Sequence, residues 1–238
     1  MKLRMLSFQD DDILARRIKE ESNYCDPAHL YAATFGISRV VLSELSPIDL
    51  DGCGRLTICA NVEQEICGAP GYNHVPGLGI SFYNLDRDTS RVLYQFKRFD
   101  EAFQNDTASL LLDILAEIDR MHGGKNRLKE RRKGILAHLR DCCFQKETLL
   151  EKFSKVSRNK KYKAMVYSCM GHGIGDAVKA ELVDRSTGKV IVSKWMAELP
   201  CNIYSSEGLC RTYWEGNRFY VIFWRSEPQR TEVVEIPS

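Results

Sequence analysis

The sequence predicts an α+β protein with mostly antiparallel sheets and a central helical hairpin. Three observations support this fold class: alternating segments typical of strands in both terminal thirds, two consecutive helical patterns near the middle, and a glycine pair between those patterns. We expect an N-terminal α+β region (1–104), a helical hairpin with a basic segment (105–160) and a C-terminal antiparallel β region (161–238), or a single domain overall.

In the N-terminal region, alternation and turn residues predict short strands and helices. The expected elements are a strand over 2–8, a helix over 10–21, a helix over 27–36, strands over 37–45 and 55–62, a loop over 67–79 and a hairpin over 79–99. Asp26 and Pro27 predict the start of the second helix, and Gly36 predicts its end.

Two helical patterns follow. The first covers 105–121, and Gly123 and Gly124 predict its end. The second begins in the basic stretch 125–163, where apolar or small side chains recur at helical spacing. This second pattern predicts either one rod over 125–156 or two pieces broken near 144–147, because Thr148 and Glu151 have the spacing of a capping box.

The C-terminal region has the pattern of an antiparallel sheet. The expected elements are a strand over 162–170, a hairpin over 177–195, a hairpin over 211–224 and a strand over 231–236. Its first hairpin contains the motif Asp-Arg-x-Thr at 184–187, which also occurs at 86–89. Either this motif is favourable hairpin chemistry used twice, or the chain carries a diverged internal duplication.

Positive charge is concentrated in one part of the chain. The stretch 125–163 has fourteen Lys and Arg against four acids, whereas the whole chain has a net charge of only +2. Crowded cations are typical of surfaces that bind polyanions. An alternative is that the acidic remainder of the chain balances them internally. The expected polyanion contacts are Arg127, Lys129, Arg131, Arg132, Lys133, Arg158, Lys160 and Lys161.

These patterns lead to two functional hypotheses. The first is a non-catalytic interaction protein whose basic helical surface engages nucleic acid or an acidic protein partner. The sequence shows neither zinc-finger spacing nor the aromatic strands of base-reading modules. The alternative is an enzyme centred on the glycine-rich loop 169–176, with Cys169 as nucleophile and His172 as its base. Whether the chain catalyses a reaction stays open at this point.

Composition sets further expectations. No apolar run approaches the roughly 18–20 residues that cross a bilayer, and we expect a cytoplasmic protein without a membrane partner. The nine cysteines are therefore expected to be reduced thiols. We expect no cofactor and no metal, because Cys53, Cys59, Cys67 and His74 lack the close spacing of zinc ligands.

Overall fold

The chain divides into two units, residues 1–145 and residues 146–238. The computed structural model describes residues 2–9, 27–45, 47–60, 69–75, 77–95, 100–171, 176–197, 208–223 and 230–237. The division falls within the segment 105–160 that the sequence predicts as a helical hairpin. The predicted helix over 10–21 lies outside the described residues.

The first unit combines a small mixed sheet with helices. Its strands are β1 (Met5–Gln9), β2 (Arg55–Cys59), β3 (Gly71–Val75) and β4 (Ile80–Asn84). Its helices are α1 (Pro27–Leu45), α2 (Arg87–Gln95), α3 (Glu101–Met121) and α4 (Leu128–Asp141). The sheet order is β1-β2-β4-β3. The β1–β2 and β2–β4 pairs are parallel, and the β3–β4 pair is antiparallel.

Two predictions for α1 are wrong. Gly36 does not end this helix, and residues 37–45 continue it instead of forming a strand. The buried side chains follow a spacing of three and four residues, with Ile37, Val40, Val41 and Leu45 all at most 2% exposed. Helix α1 packs against β1 and α3. Burial of this stripe outweighs the weak preference of β-branched residues for strands.

The region between β2 and α3 also differs from the prediction. Gly71–Val75 is a strand within the segment that the sequence predicts as a loop. The hairpin predicted over 79–99 is wrong, because β4 is followed by helix α2. The Asp86 carboxylate accepts hydrogen bonds from the Thr89 backbone N–H (2.8 Å) and from the Thr89 hydroxyl (2.8 Å). Asp86 therefore caps a helix here rather than shaping a hairpin turn.

Helices α3 and α4 form the predicted helical hairpin. Gly123 and Gly124 end α3 with positive φ angles of 89° and 66°. Asp119, in the last turn of α3, is 3% exposed. Its carboxylate accepts hydrogen bonds from the Leu128 backbone N–H (3.1 Å) and from the backbone N–H (3.0 Å) and amide (2.8 Å) of Asn126. One buried carboxylate thus fixes the start of α4.

The basic stretch is broken. Helix α4 ends at Asp141, and Cys143 and Phe144 adopt positive φ angles of 53° and 54°. The Phe144 backbone N–H donates to Leu139 O (2.8 Å), and its fully buried side chain anchors the break. Residues 146–149 then form a strand. A break near 144–147 is confirmed, whereas the second helix that Thr148 and Glu151 predict is wrong.

The second unit consists of two antiparallel sheets. The larger contains β5 (Lys146–Leu149), β6 (Lys155–Val156), β7 (Tyr162–Met170), β8 (Asp176–Asp184) and β9 (Val190–Ala197). The smaller contains β10 (Leu209–Glu215), β11 (Arg218–Phe223) and β12 (Arg230–Glu235). These strands confirm the predicted strand over 162–170 and both predicted hairpins. The two sheets share one apolar core, to which Val166, Leu182, Phe219 and Val221 contribute.

Taken over both units, the fold class is α+β with mostly antiparallel pairing, as the sequence predicts. The exception is the sheet of the first unit, where two of the three pairings are parallel. Within the described residues, no helix combines the length and the apolar character that a membrane crossing needs.

Candidate functional site

The predicted contacts on α4 differ in their exposure. Lys129, Arg131 and Lys133 are exposed, and Arg127 is exposed immediately before the helix. Arg132 is only partly exposed, because it lies in the seam between α3 and α4. Its guanidinium donates to the Ser109 hydroxyl (2.8 Å) and to Asp113 Oδ2 (2.6 Å). Arg132 therefore joins two helices, and its charge is matched within the protein.

The outer surface of α4 is not uniformly basic. Arg127 Nε lies 3.8 Å from Glu130 Oε2. Glu130 and Asp141 are exposed and lie eleven residues apart, which is three helical turns, so both face outward opposite the seam. Lys129 and Lys133 lie four residues apart on one flank of the helix. Among the described residues, neither of these two lysines has an acidic partner.

The remaining predicted contacts lie in the turn between β6 and β7. Arg158, Lys160 and Lys161 are all exposed there. The Ser157 hydroxyl organises this turn, because it donates to Tyr162 O (3.0 Å) and accepts from the Tyr162 backbone N–H (3.0 Å). Lys160 adopts a left-handed conformation with φ of 60°. A sharp turn thus presents three cations at one end of the larger sheet.

The β8–β9 hairpin adds two cations to this end. The Arg185 backbone N–H donates to Lys161 O (2.9 Å), and the Arg185 guanidinium donates to Lys160 O (2.8 Å). Lys189 is exposed four residues further along the same turn. We call this cluster the basic tip. It consists of Arg158, Lys160, Lys161, Arg185 and Lys189.

Asp184 is the acidic residue at the basic tip, and its carboxylate is hydrogen-bonded within its own turn. Its carboxylate accepts hydrogen bonds from the Ser186 backbone N–H (2.8 Å), the Ser186 hydroxyl (2.5 Å) and the Thr187 backbone N–H (3.2 Å). These bonds, chiefly the one from the Ser186 hydroxyl, lower the pKa of Asp184. Interaction with Tyr162 raises the pKa of Lys161. The basic tip therefore combines five cations with one carboxylate that already serves as a turn acceptor.

Arg185 and Lys189 were not predicted from the sequence as members of this cluster. The sequence does contain a pattern that indicates their position, because β7 and β8 are both predicted as strands. Their antiparallel pairing joins Tyr162 to Asp184, which brings the two turns together. Composition alone does not show this, since the two turns are separated in the chain by the whole of β7 and β8.

The surroundings of Cys169 are unfavourable for the nucleophilic role that the alternative hypothesis gives it. This thiol is 3% exposed, and burial raises its pKa to about 12, with the Glu147 carboxylate adding to the effect. Lys179 acts in the opposite direction, but its ammonium lies between Glu147 (2.7 Å) and Glu181 (3.0 Å). A nucleophilic cysteine needs a lowered pKa, so these surroundings oppose that role. His172 lies outside the described residues.

Two of the residues considered as zinc ligands, Cys53 and His74, have structural partners in the first unit. Cys53 is fully buried, and its thiol donates to Arg55 O (3.2 Å). His74 Nδ1 lies 2.9 Å from the Ser81 hydroxyl, which is also 2.9 Å from the Tyr72 hydroxyl. In the part of the chain that the structure describes, no three metal-binding side chains come together. Cys67 lies outside that part.

Comparison of the chain with protein-family models, with curated proteins and with solved structures found no significant match.

Proposed function

We propose that this chain is a non-catalytic interaction protein that binds a polyanion, either nucleic acid or an acidic protein partner. The basic tip supplies the main contacts, and the exposed lysines of α4 supply weaker ones. The observation that carries this proposal is that two turns meet at the basic tip, where the Arg185 guanidinium donates to Lys160 O. Five exposed cations are thereby brought to one end of the larger sheet, and the acid there, Asp184, accepts hydrogen bonds from its own turn. Phosphates and clustered carboxylates are the groups that such a surface attracts.

The test compares retention on a heparin column for the wild-type chain and a variant carrying Lys160→Glu and Lys161→Glu. Both lysines are exposed, so we expect the fold to be retained. The variant should elute at a clearly lower salt concentration and bind labelled polyanions at least about tenfold more weakly.

A matched control carries Lys2→Glu and Arg87→Glu. These two residues are also exposed, they lie in the first unit, and their reversal changes the net charge by the same amount. The control should elute close to the wild-type chain. If both variants shift equally, net charge alone determines retention and the proposed role of the basic tip is wrong.

A further inference from the structure

A row of mostly apolar side chains lies on the outer face of the larger sheet, next to the basic tip. Strand pairing places its four members directly opposite one another, namely Val156 on β6, Lys163 on β7, Val183 on β8 and Val190 on β9. Residues paired across antiparallel strands have their side chains on the same face. The chain neighbours Ala164 and Leu182 are in the core, so the row faces away from it. We call these four residues the valine row.

The valine row is accessible to a partner. Val156 is 44% exposed and Val190 is 52% exposed. Ile191, next to Val190 at a shift in the β8–β9 register, is 38% exposed. Single exposed apolar residues are common on protein surfaces, but three at one end of a sheet form a patch that a binding partner can cover.

The valine row adjoins the basic tip in the chain and across the strands. Val156 directly precedes the turn that carries three of the tip cations, and Val190 directly follows Lys189. The next outward-facing position on β8 is an acid, Glu181, whose carboxylate lies 3.0 Å from Lys179 Nζ. Exposed apolar side chains therefore border the five cations of the tip, and the neighbouring acid is paired within the protein.

We infer that the basic tip and the valine row together bind an acidic protein segment that also carries apolar side chains. This inference rests on the proposed function and names its partner class. Protein interfaces combine an apolar centre with a charged rim, and this surface has both parts side by side. Nucleic acid offers phosphates and flat bases, for which valine side chains provide no stacking platform. Carboxylates that alternate with apolar side chains match the whole surface.

An anionic membrane is a different partner that also combines charge with apolar groups. The side chains that insert at a membrane interface are typically Trp, Phe and Leu, which reach further than valine. The valine row consists instead of short β-branched side chains beside a lysine. Its chemistry therefore favours contact with another polypeptide over insertion into lipid.

The experiment measures the dissociation constants of two fluorescein-labelled twelve-residue peptides by fluorescence anisotropy with the full chain at neutral pH. One peptide alternates Glu with Leu and the other alternates Glu with Ser, so their charges are equal. The wild-type chain should bind the Glu-Leu peptide about fivefold more tightly, because only leucine gains from covering the valine row.

A variant carrying Val156→Thr and Val190→Thr should lose most of this preference. Threonine keeps the shape and strand propensity of valine, and heparin elution should be unchanged because the basic tip is intact. The matched control is Val92→Thr, which changes a 55% exposed valine on α2 in the first unit. This control should keep the preference for the Glu-Leu peptide.

Three results would overturn this inference. The first is equal affinity of the wild-type chain for the two peptides, or a preference that the double threonine variant keeps. The second is displacement of the labelled Glu-Leu peptide by oligothymidylate at a lower concentration than by the unlabelled peptide, which would favour nucleic acid. The third is binding to vesicles of equal phosphatidylserine and phosphatidylcholine that the double threonine variant loses, which would favour a membrane.

Heparin binding separates these failures from a failure of the proposed function. In the first two cases, weaker heparin binding by the Lys160→Glu and Lys161→Glu variant would leave the proposed function in place. The third case would replace the proposed partner classes as well. A wild-type chain that does not bind heparin would remove both proposals.

Discussion

The two basic regions of this protein have similar numbers of cations but differ in how those cations are engaged. On α4, Arg132 is paired with Asp113 in the helix seam, and Arg127 lies beside Glu130. At the basic tip, the acid among the described residues is Asp184, whose Oδ1 accepts hydrogen bonds from its own turn. A count of lysines and arginines therefore overstates the charge that α4 offers to a partner. The geometry of neighbouring acids determines how much charge is free.

The buried Cys169 thiol is the alternative to the basic tip as a functional site of the second unit, and labelling of Cys169 tests this alternative. With a pKa of about 12, the Cys169 thiol should react with a thiol reagent at pH 7.5 about a thousandfold more slowly than an ordinary cysteine with a pKa near 9. Its rate should rise about tenfold per pH unit up to pH 10. Mass spectrometry of tryptic peptides measures this rate.

Exposed Cys143 in the same chain is the internal control, since it should label readily. Rapid labelling of Cys169 at neutral pH would contradict its buried environment and would return the Cys169–His172 hypothesis to consideration.

The next prediction concerns what holds the basic helix in place. Asp119→Ala leaves the backbone N–H groups of Asn126 and Leu128 without their acceptor, and we expect a loss of about 2–4 kcal/mol in the free energy of unfolding. Asp119→Asn keeps one acceptor oxygen and should lower the free energy of unfolding by a smaller amount. Urea denaturation followed by circular dichroism measures these values.

The control for this prediction is Asp141→Ala, at the exposed C-terminal end of α4, where an acid is unfavourable. Its effect should stay within about 0.5 kcal/mol. An Asp119→Ala variant as stable as this control would show that other contacts fix the start of α4.

The smallest expected effect comes from the lysines of α4. Charge reversal by Lys129→Glu and Lys133→Glu should weaken polyanion binding by about threefold. This loss is clearly smaller than the one expected for the Lys160→Glu and Lys161→Glu variant. The reason is that Glu130 and Asp141 already make the neighbouring surface of α4 partly acidic. Fluorescence anisotropy with one labelled polyanion measures the dissociation constants of both variants in the same buffer. Equal losses would mean that the two regions contribute alike and that the contrast between them is wrong.

The fold class and most of the second unit could be predicted from the sequence because alternation and turn residues act locally. The prediction failed where tertiary contacts determine the outcome. Asp86 and Asp184 both accept a hydrogen bond from the backbone N–H three residues later, yet the first begins a helix and the second closes a strand turn. The same local bond serves both structures, so the motif alone does not distinguish them.

The candidate site could be predicted only in part for a related reason. Arg158, Lys160 and Lys161 follow from composition, whereas Arg185 joins them through strand pairing. Arg132 was predicted as a free cation because its acidic partner lies on the other helix of the hairpin.

The salt dependence of binding tests the proposed role of the basic tip most directly. The logarithm of the binding constant for a labelled oligonucleotide should fall linearly with the logarithm of salt concentration, with a slope set by the number of phosphate contacts. Replacing Lys160 and Lys161 by alanine should reduce that slope by more than about one, while replacing Lys2 and Arg87 should leave it unchanged. Identical slopes for the wild-type chain and the tip variant would contradict this account.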